Sequence, residues 1–384
     1  MKKLVFAAMA AILAGGLVSA QDAAAAATTT TPTVKVSGGF MSGFAVNKDG
    51  DDDATISVWN TDIQNAGRAY INLDLTGDGY GFSAQLRGQA KQLKASTAAD
   101  TDSSTGYTTS YGLDMPYFKW VYGYADLFKS VLPVTVKGGF LYEDIWGVGY
   151  EGLGYTYGYL AGPAVVVNIK PLQIKGLEFG AGIMDLGTST SDWSKAEFSS
   201  DYLTIGAKYT MDKVFALGAQ YKFGNGIDGW SGESYTDGAL IASVSLDCVK
   251  NLTLSAEGEI TSITTDDQYY LYDEYASYQF TDKLSADIIA MQFVTDKIYT
   301  FEPTVSYSIT DNVSVKLAGG DFITLKDDST DNDWFVMPGV TLKAGKAKID
   351  LSYAYATSGA PAGGYNYYYY SAGSNIMLSY KFTF

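Results

Sequence analysis

The sequence predicts an all-β chain closed into a transmembrane antiparallel barrel of about 16–18 strands, with short turns at one rim and longer loops at the other. Three observations carry this expectation. Apolar and polar residues alternate strictly through most of the chain. Tight turns and long polar or aromatic connections succeed one another along it. No segment beyond the first 20 residues keeps the i, i+3, i+4 spacing of an amphipathic helix, and the chain holds 31 Tyr and 42 Gly but only 8 Pro. Tyrosine favours pleated strands, while abundant glycine disfavours long helices.

The first element is not a strand. Met1-Lys2-Lys3 is a short basic start, Leu4 to Val18 is apolar, and Val18-Ser19-Ala20 supplies small residues at a cleavage position. This predicts an export signal over 1–20. "QDAAAAATTTTP" (21–32) reads as an Ala/Thr-rich linker, and from residue 33 to 384 the texture is uniform, with no domain boundary. Nothing internal approaches the 18 or so consecutive apolar residues of a spanning helix.

The strand elements then follow in order. In 34–46, Val34, Val36, Phe40 and Phe44 share one phase, with Lys35 and Ser37 between them. In 67–76, Ala69, Ile71, Leu73 and Leu75 oppose Arg68, Tyr70, Asn72 and Asp74. "TGDGY" turns the chain, and Tyr80, Phe82, Ala84 and Leu86 continue against Ser83, Gln85 and Arg87. The same pattern predicts strands near 115–125, 133–145, 161–170, 176–187, 201–211, 214–223, 238–248, 251–262, 268–280, 284–294, 298–309, 313–325, 334–343, 347–357 and 373–384. Turns such as "MDKV" (211–214), "TDKL" (281–284) and "TDNV" (310–313) suit tight hairpins. Longer loops fall at 48–66, 91–113, 146–160, 188–200, 224–237 and 358–371.

Which face meets the core decides between two architectures. In a soluble sandwich the apolar face packs inside, and this many strands would have to split into several sandwiches joined by linkers that the sequence lacks. In a membrane barrel the apolar face meets lipid and the charged face lines a wet interior. Lipid tolerates no open sheet edge, so the sheet must close. Trp146, Trp193 and Trp230, with Tyr142, Tyr150 and Tyr235 nearby, lie just beyond strand ends on the long-loop side, where rings with a polar tip suit a membrane interface.

Composition narrows function by subtraction. The net charge is −16, which argues against a nucleic-acid partner. The acidic runs "NKDGDDD" (47–53) and "KDDSTDND" (326–333) read as solvated loops between strands, with cation bridging as the sharper alternative, and neither has calcium-loop spacing. Cys248 is the single cysteine, so the fold is not held by an internal disulfide, and it reads as an inert residue at a strand end. There is no histidine, which removes the His-dependent mechanisms of membrane-barrel phospholipases and proteases. No enzyme, cofactor or metal centre is expected.

The export signal, the roughly 18 alternating segments and the terminal "YKFTF" together resemble a bacterial outer-membrane porin. The "PEFGG" stretch of enterobacterial constriction loops is absent, which sets the chain outside that subgroup. The resemblance is one of pattern over 33–384. It implies location in the cell outer membrane, periplasmic short turns, extracellular loops, and a water-filled channel for passive diffusion of small hydrophilic solutes and ions. It also implies a lipid-bilayer partner, a homotrimer as the usual assembly, and recognition of Tyr380, Phe382 and Phe384 by the outer-membrane assembly machinery. A surface adhesin, a structural envelope barrel and a sugar-preferring channel using tyrosine-rich loops such as 364–373 remain alternatives.

The candidate site follows from the polar phase. Arg68 and Arg87, the only arginines, sit on the two arms of one hairpin, and Lys119 and Lys137 extend a basic wall on the next two strands. In porins the third loop folds into the barrel and faces such a wall. Here that segment is 146–163, and the matching acids are Glu143, Asp144 and Glu151. Opposed charges there would orient permeating dipoles and set ion preference.

Overall fold

The computed structural model describes residues 31–48, 50, 54–58, 67–90, 94–95, 116–130, 132–149, 159–184, 203–224, 226–227, 234–235, 237–266, 268–326, 329–357 and 372–384. The expected export signal lies outside them, as do Glu151, Tyr150, Trp193 and Trp230. No helix occurs among the described residues.

In chain order the strands are β1 (Thr33–Lys48), β2 (Thr55–Val58), β3 (Gly67–Thr76), β4 (Tyr80–Ala90), β5 (Lys94–Ala95), β6 (Tyr117–Leu127) and β7 (Val134–Asp144). Next come β8 (Tyr159–Ile169), β9 (Leu177–Met184), β10 (Leu203–Met211), β11 (Phe215–Lys222), β12 (Gly226–Ile227), β13 (Ser234–Tyr235) and β14 (Ala239–Leu246). The last are β15 (Leu252–Thr261), β16 (Tyr269–Gln279), β17 (Leu284–Phe293), β18 (Ile298–Thr310), β19 (Val313–Leu325), β20 (Thr330–Ala344), β21 (Ala347–Ala356) and β22 (Gly373–Thr383).

Eighteen of these make one closed antiparallel ring in which each strand pairs with the next, and β22 returns to β1 with Phe40 opposite Phe382 and Ser42 opposite Tyr380. Beyond the last paired residues, Gly38 and Phe384 exchange two backbone hydrogen bonds of 3.2 and 3.0 Å. The short strands are accessory: β2 continues the β1 ladder beyond β3 and pairs with β5, while β12 and β13 form a separate ribbon. Closure pairs the backbone groups that an open edge would leave exposed, which is the condition for sitting in lipid.

The alternation translates directly into two faces. Val36, Phe40, Ile71, Phe82, Phe140, Ile205, Leu217, Phe301, Leu351 and Phe382 are exposed on the outside. The other phase buries Arg87, Glu257, Glu259, Asp273, Glu302 and Asp350. An apolar exterior around a charged interior is the pattern of a barrel in a bilayer rather than in water.

Several expectations need correction. The run 326–333 is not one loop, because β20 starts at Thr330 and places Asp331 and Asp333 within a strand. The connections after β17 and β19 are only four residues long, so the loop rim is low on that side. Cys248 lies in the turn after β14 and is exposed. The interior is not uniformly polar either. Toward the loop rim, Phe322, Phe335, Met337 and Met377 form one buried apolar cluster on the inward phase, and Ile241, Leu271, Met291 and Phe293 form another.

Candidate functional site: a segment folded into the barrel

After Asp144 the chain does not continue outward into a loop but turns into the lumen. Asp144 starts the turn by accepting a hydrogen bond from the Gly147 amide through Oδ1, at 2.7 Å. Trp146 is fully buried, and its Nε1 donates to Oδ1 of Asn168 on β8 at 3.1 Å. Further along, the Val148 amide donates to Oγ of Ser243 on β14 at 2.9 Å, and Gly149 lies against Glu257 on β15. Residues 145–149 therefore lie along the inner wall from β8 across to β15.

Glycines make the trough. A Cβ at Gly206 on β10 would lie 2.3 Å from the Trp146 ring, and one at Gly218 on β11 would lie 2.2 Å from the Trp146 carbonyl oxygen. Such approaches are impossible for any larger residue, so these two inward positions must be glycine for the segment to seat. Leu141, Ile145, Ala164 and Val166 pack with the indole. Trp146 is thus an interior anchor, not a membrane-interface residue as its place beyond a strand end suggests. Tyr142, expected at the same interface, instead presents its ring to Nζ of Lys119, 3.4 Å from the centroid.

The basic residues share one wall. Arg87 is buried and its Nε donates to Oε1 of Gln85 at 3.0 Å. Asp74 accepts from Ser83 Oγ at 2.7 Å and is not the partner of Arg87. Lys119 occupies a β-bulge: Gln85 faces Trp120 while Leu86 faces Phe118, leaving Lys119 as the extra residue. The bulge re-aims side chains at that point, and Trp120 Nε1 reaches Ser83 Oγ at 3.1 Å. Lys137, on β7, pairs with Glu143 at 2.5 Å.

That last contact corrects the expected opposition. Glu143 neutralises a lysine on its own wall, Asp144 caps its own turn, and Glu151 is outside the described residues. The facing acids come from elsewhere, on inward positions of the barrel wall. Glu257 and Glu259 are on β15, Asp273 on β16, Asp287 on β17 and Glu302 on β18. Counting round the 18-strand ring, the basic group occupies the second to fifth strands and the acidic group the eleventh to fourteenth. They are half a circumference apart. Among the acids, Glu257 and Asp273 are direct cross-strand neighbours, and both carboxylate oxygens of Glu302 are buried without a hydrogen-bond partner. Sequence reasoning did not assemble these acids into a wall because they are spread over four strands and do not form a run.

At the chain end, Tyr380, Phe382 and Phe384 lie on the outer face beside the seam. The rings of Phe40 and Tyr380 are 5.5 Å apart, and those of Phe382 and Phe384 are 6.5 Å apart.

No protein-family model and no curated protein sequence matches the chain. Among solved structures it is similar to mutants of a Rhodopseudomonas blastica porin. One, a mutant with a tyrosine and a serine each replaced by tryptophan, has 13% identity and a TM-score of 0.46, covering 92% of this chain and all of that one. Another, a triple mutant in which a glutamate and an alanine are replaced by tryptophan, has 14% identity and a TM-score of 0.45 over the same shares.

Proposed function

We propose that the protein is an outer-membrane porin, a water-filled channel for passive diffusion of small hydrophilic solutes and ions. The observation that carries this reading is the inward fold of residues 145–149 within a barrel of 18 strands. A ring of 16–18 strands leaves an aqueous lumen where an eight-stranded one fills with side chains. A segment laid along its inner wall would narrow that lumen. The field between Arg68, Arg87 and Lys119 on one side, where Lys137 is offset by Glu143, and the β15–β18 carboxylates on the other would orient dipolar solutes in the gap.

The accompanying assignments follow from the same reading. Residues 1–20 direct export, 21–32 are an Ala/Thr-rich linker to the barrel, and Tyr380, Phe382 and Phe384 present the assembly signal at the closing seam. The barrel sits in the outer-membrane lipid as a homotrimer.

Liposome swelling tests the function. With the purified chain in the vesicle wall, a pentose should enter faster than a disaccharide, and a trisaccharide slowest. Vesicles that do not swell with any of them would remove the diffusion channel.

A further inference from the structure

Beneath the folded segment, toward the short-turn rim, the wall holds a recess of about 190 Å³. That is room for about six waters at roughly 30 Å³ each, or for one small solute and a water or two. Charged groups of both signs line it. Lys137 is paired with Glu143 at 2.5 Å, and Lys170 with Glu178 at 3.2 Å. Glu178 also accepts from Asn168 Nδ2 at 2.9 Å.

Two groups are left with spare capacity. Lys208 reaches Glu178 only at 3.8 Å, beyond hydrogen-bond length, and its three donors are otherwise unengaged among the described residues. Asp144 uses Oδ1 on the Gly147 amide, while Oδ2 has no partner among the described residues. The remainder is thus one cation and one anion opening on the same small space.

We propose that this recess binds a small zwitterion of the α-amino acid class, its carboxylate on Lys208 and its ammonium on Asp144. A monoanion would satisfy Lys208 but leave Asp144 facing like charge, and a monocation would do the reverse. A neutral polyol would give neither group a counter-charge. The proposal rests on the channel reading, since the recess opens on the lumen, and it assigns that lumen a preferred solute class.

Saturation-transfer NMR on the detergent-solubilised full-length protein tests binding independently of conduction. L-Alanine, lactate, ethanolamine and glycerol are the probes. Alanine should bind about tenfold more tightly than lactate or ethanolamine, the weight of one charge-assisted hydrogen bond, and glycerol should give no transfer. Lys208→Met should lower alanine affinity about tenfold, and so should Asp144→Asn, which keeps the acceptor for Gly147. Heat-dependent gel migration reports whether each variant still forms a closed barrel. Equal binding of alanine and lactate, or unchanged alanine binding in both folded variants, overturns the zwitterion site. Vesicles that fail to swell while alanine still binds overturn the channel and leave the site standing.

Discussion

Trp146 and Asn168 are joined inside the barrel by a 3.1 Å hydrogen bond from indole to amide, with the indole fully buried between the wall and its own segment. This contact pins the turn after β7 inside the lumen.

Replacing Trp146 with Ala should release the segment while leaving the closed ladder intact. Truncating a fully buried tryptophan costs about 3–5 kcal/mol, which here falls on docking of residues 145–149. Single-channel recordings should show a larger mean conductance and more frequent sub-states than in the parent protein. Unchanged conductance would mean the segment does not limit flow.

Gly206→Val and Gly218→Val should produce the same phenotype from the opposite side. Each adds a Cβ where the anchor already lies, 2.3 Å from the ring or 2.2 Å from the carbonyl. The matching test is protease cleavage near residue 150 in folded protein, which should rise in both variants and not in Gly88→Val, where a Cβ meets nothing within 4 Å.

Charge removal on the two walls should act in opposite directions. Neutralising Arg87 and Lys119 together should shift reversal potentials toward cations, and Glu257→Gln with Asp273→Asn should shift them toward anions. A unit charge a few ångströms away in water is worth up to about 1 kcal/mol, so each pair should alter the cation/anion permeability ratio about twofold or more. Shifts of the same sign would refute the opposed arrangement.

The outer face is not wholly apolar among the described residues: Asp321 on β19 stands opposite the outward-phase Phe301 and Trp334, and β16 contributes a glutamate. Glu274 on β16 accepts from Gln292 of β17 at 2.8 Å, and its other oxygen is buried without a partner. Both positions lie on the outward phase beside Ala256, Ala276 and Ala290. Changing the pair to Glu274→Leu and Gln292→Leu should raise the temperature at which the barrel unfolds on gels. Acidic residues on a lipid face cost about 1–3 kcal/mol near mid-membrane, and removing one partner alone should gain less.

Deleting Phe384 should slow assembly. It removes the two backbone bonds with Gly38, each contributing about 1 kcal/mol, at the seam where the sheet closes. The folded fraction after refolding into detergent, read by gel migration, should fall below that of the parent.

Much of this fold was legible in the sequence because alternation at period 2 is the whole code of a barrel wall. The phase of Arg68, Asp74, Gln85 and Arg87 followed from their immediate neighbours. The site was less legible, for particular reasons. Lys119 sits in a bulge that only pairing with β4 reveals. Trp146 looks like an interface aromatic until the chain is seen to turn inward, and Gly206 and Gly218 are ordinary strand glycines until the indole lies on them. The acidic wall is assembled by ring closure, which brings β15–β18 opposite β3–β7 although Arg87 and Asp273 are far apart in sequence. The apolar clusters around Phe335 and Met291 occupy the phase that alternation marks as wet, and period alone does not separate them from lipid-facing residues.

Planar-bilayer recording of the purified protein tests the channel itself. Discrete, long-lived current steps of uniform size that scale with salt concentration are expected. A bilayer that stays silent after insertion of heat-modifiable, folded protein would contradict the channel reading.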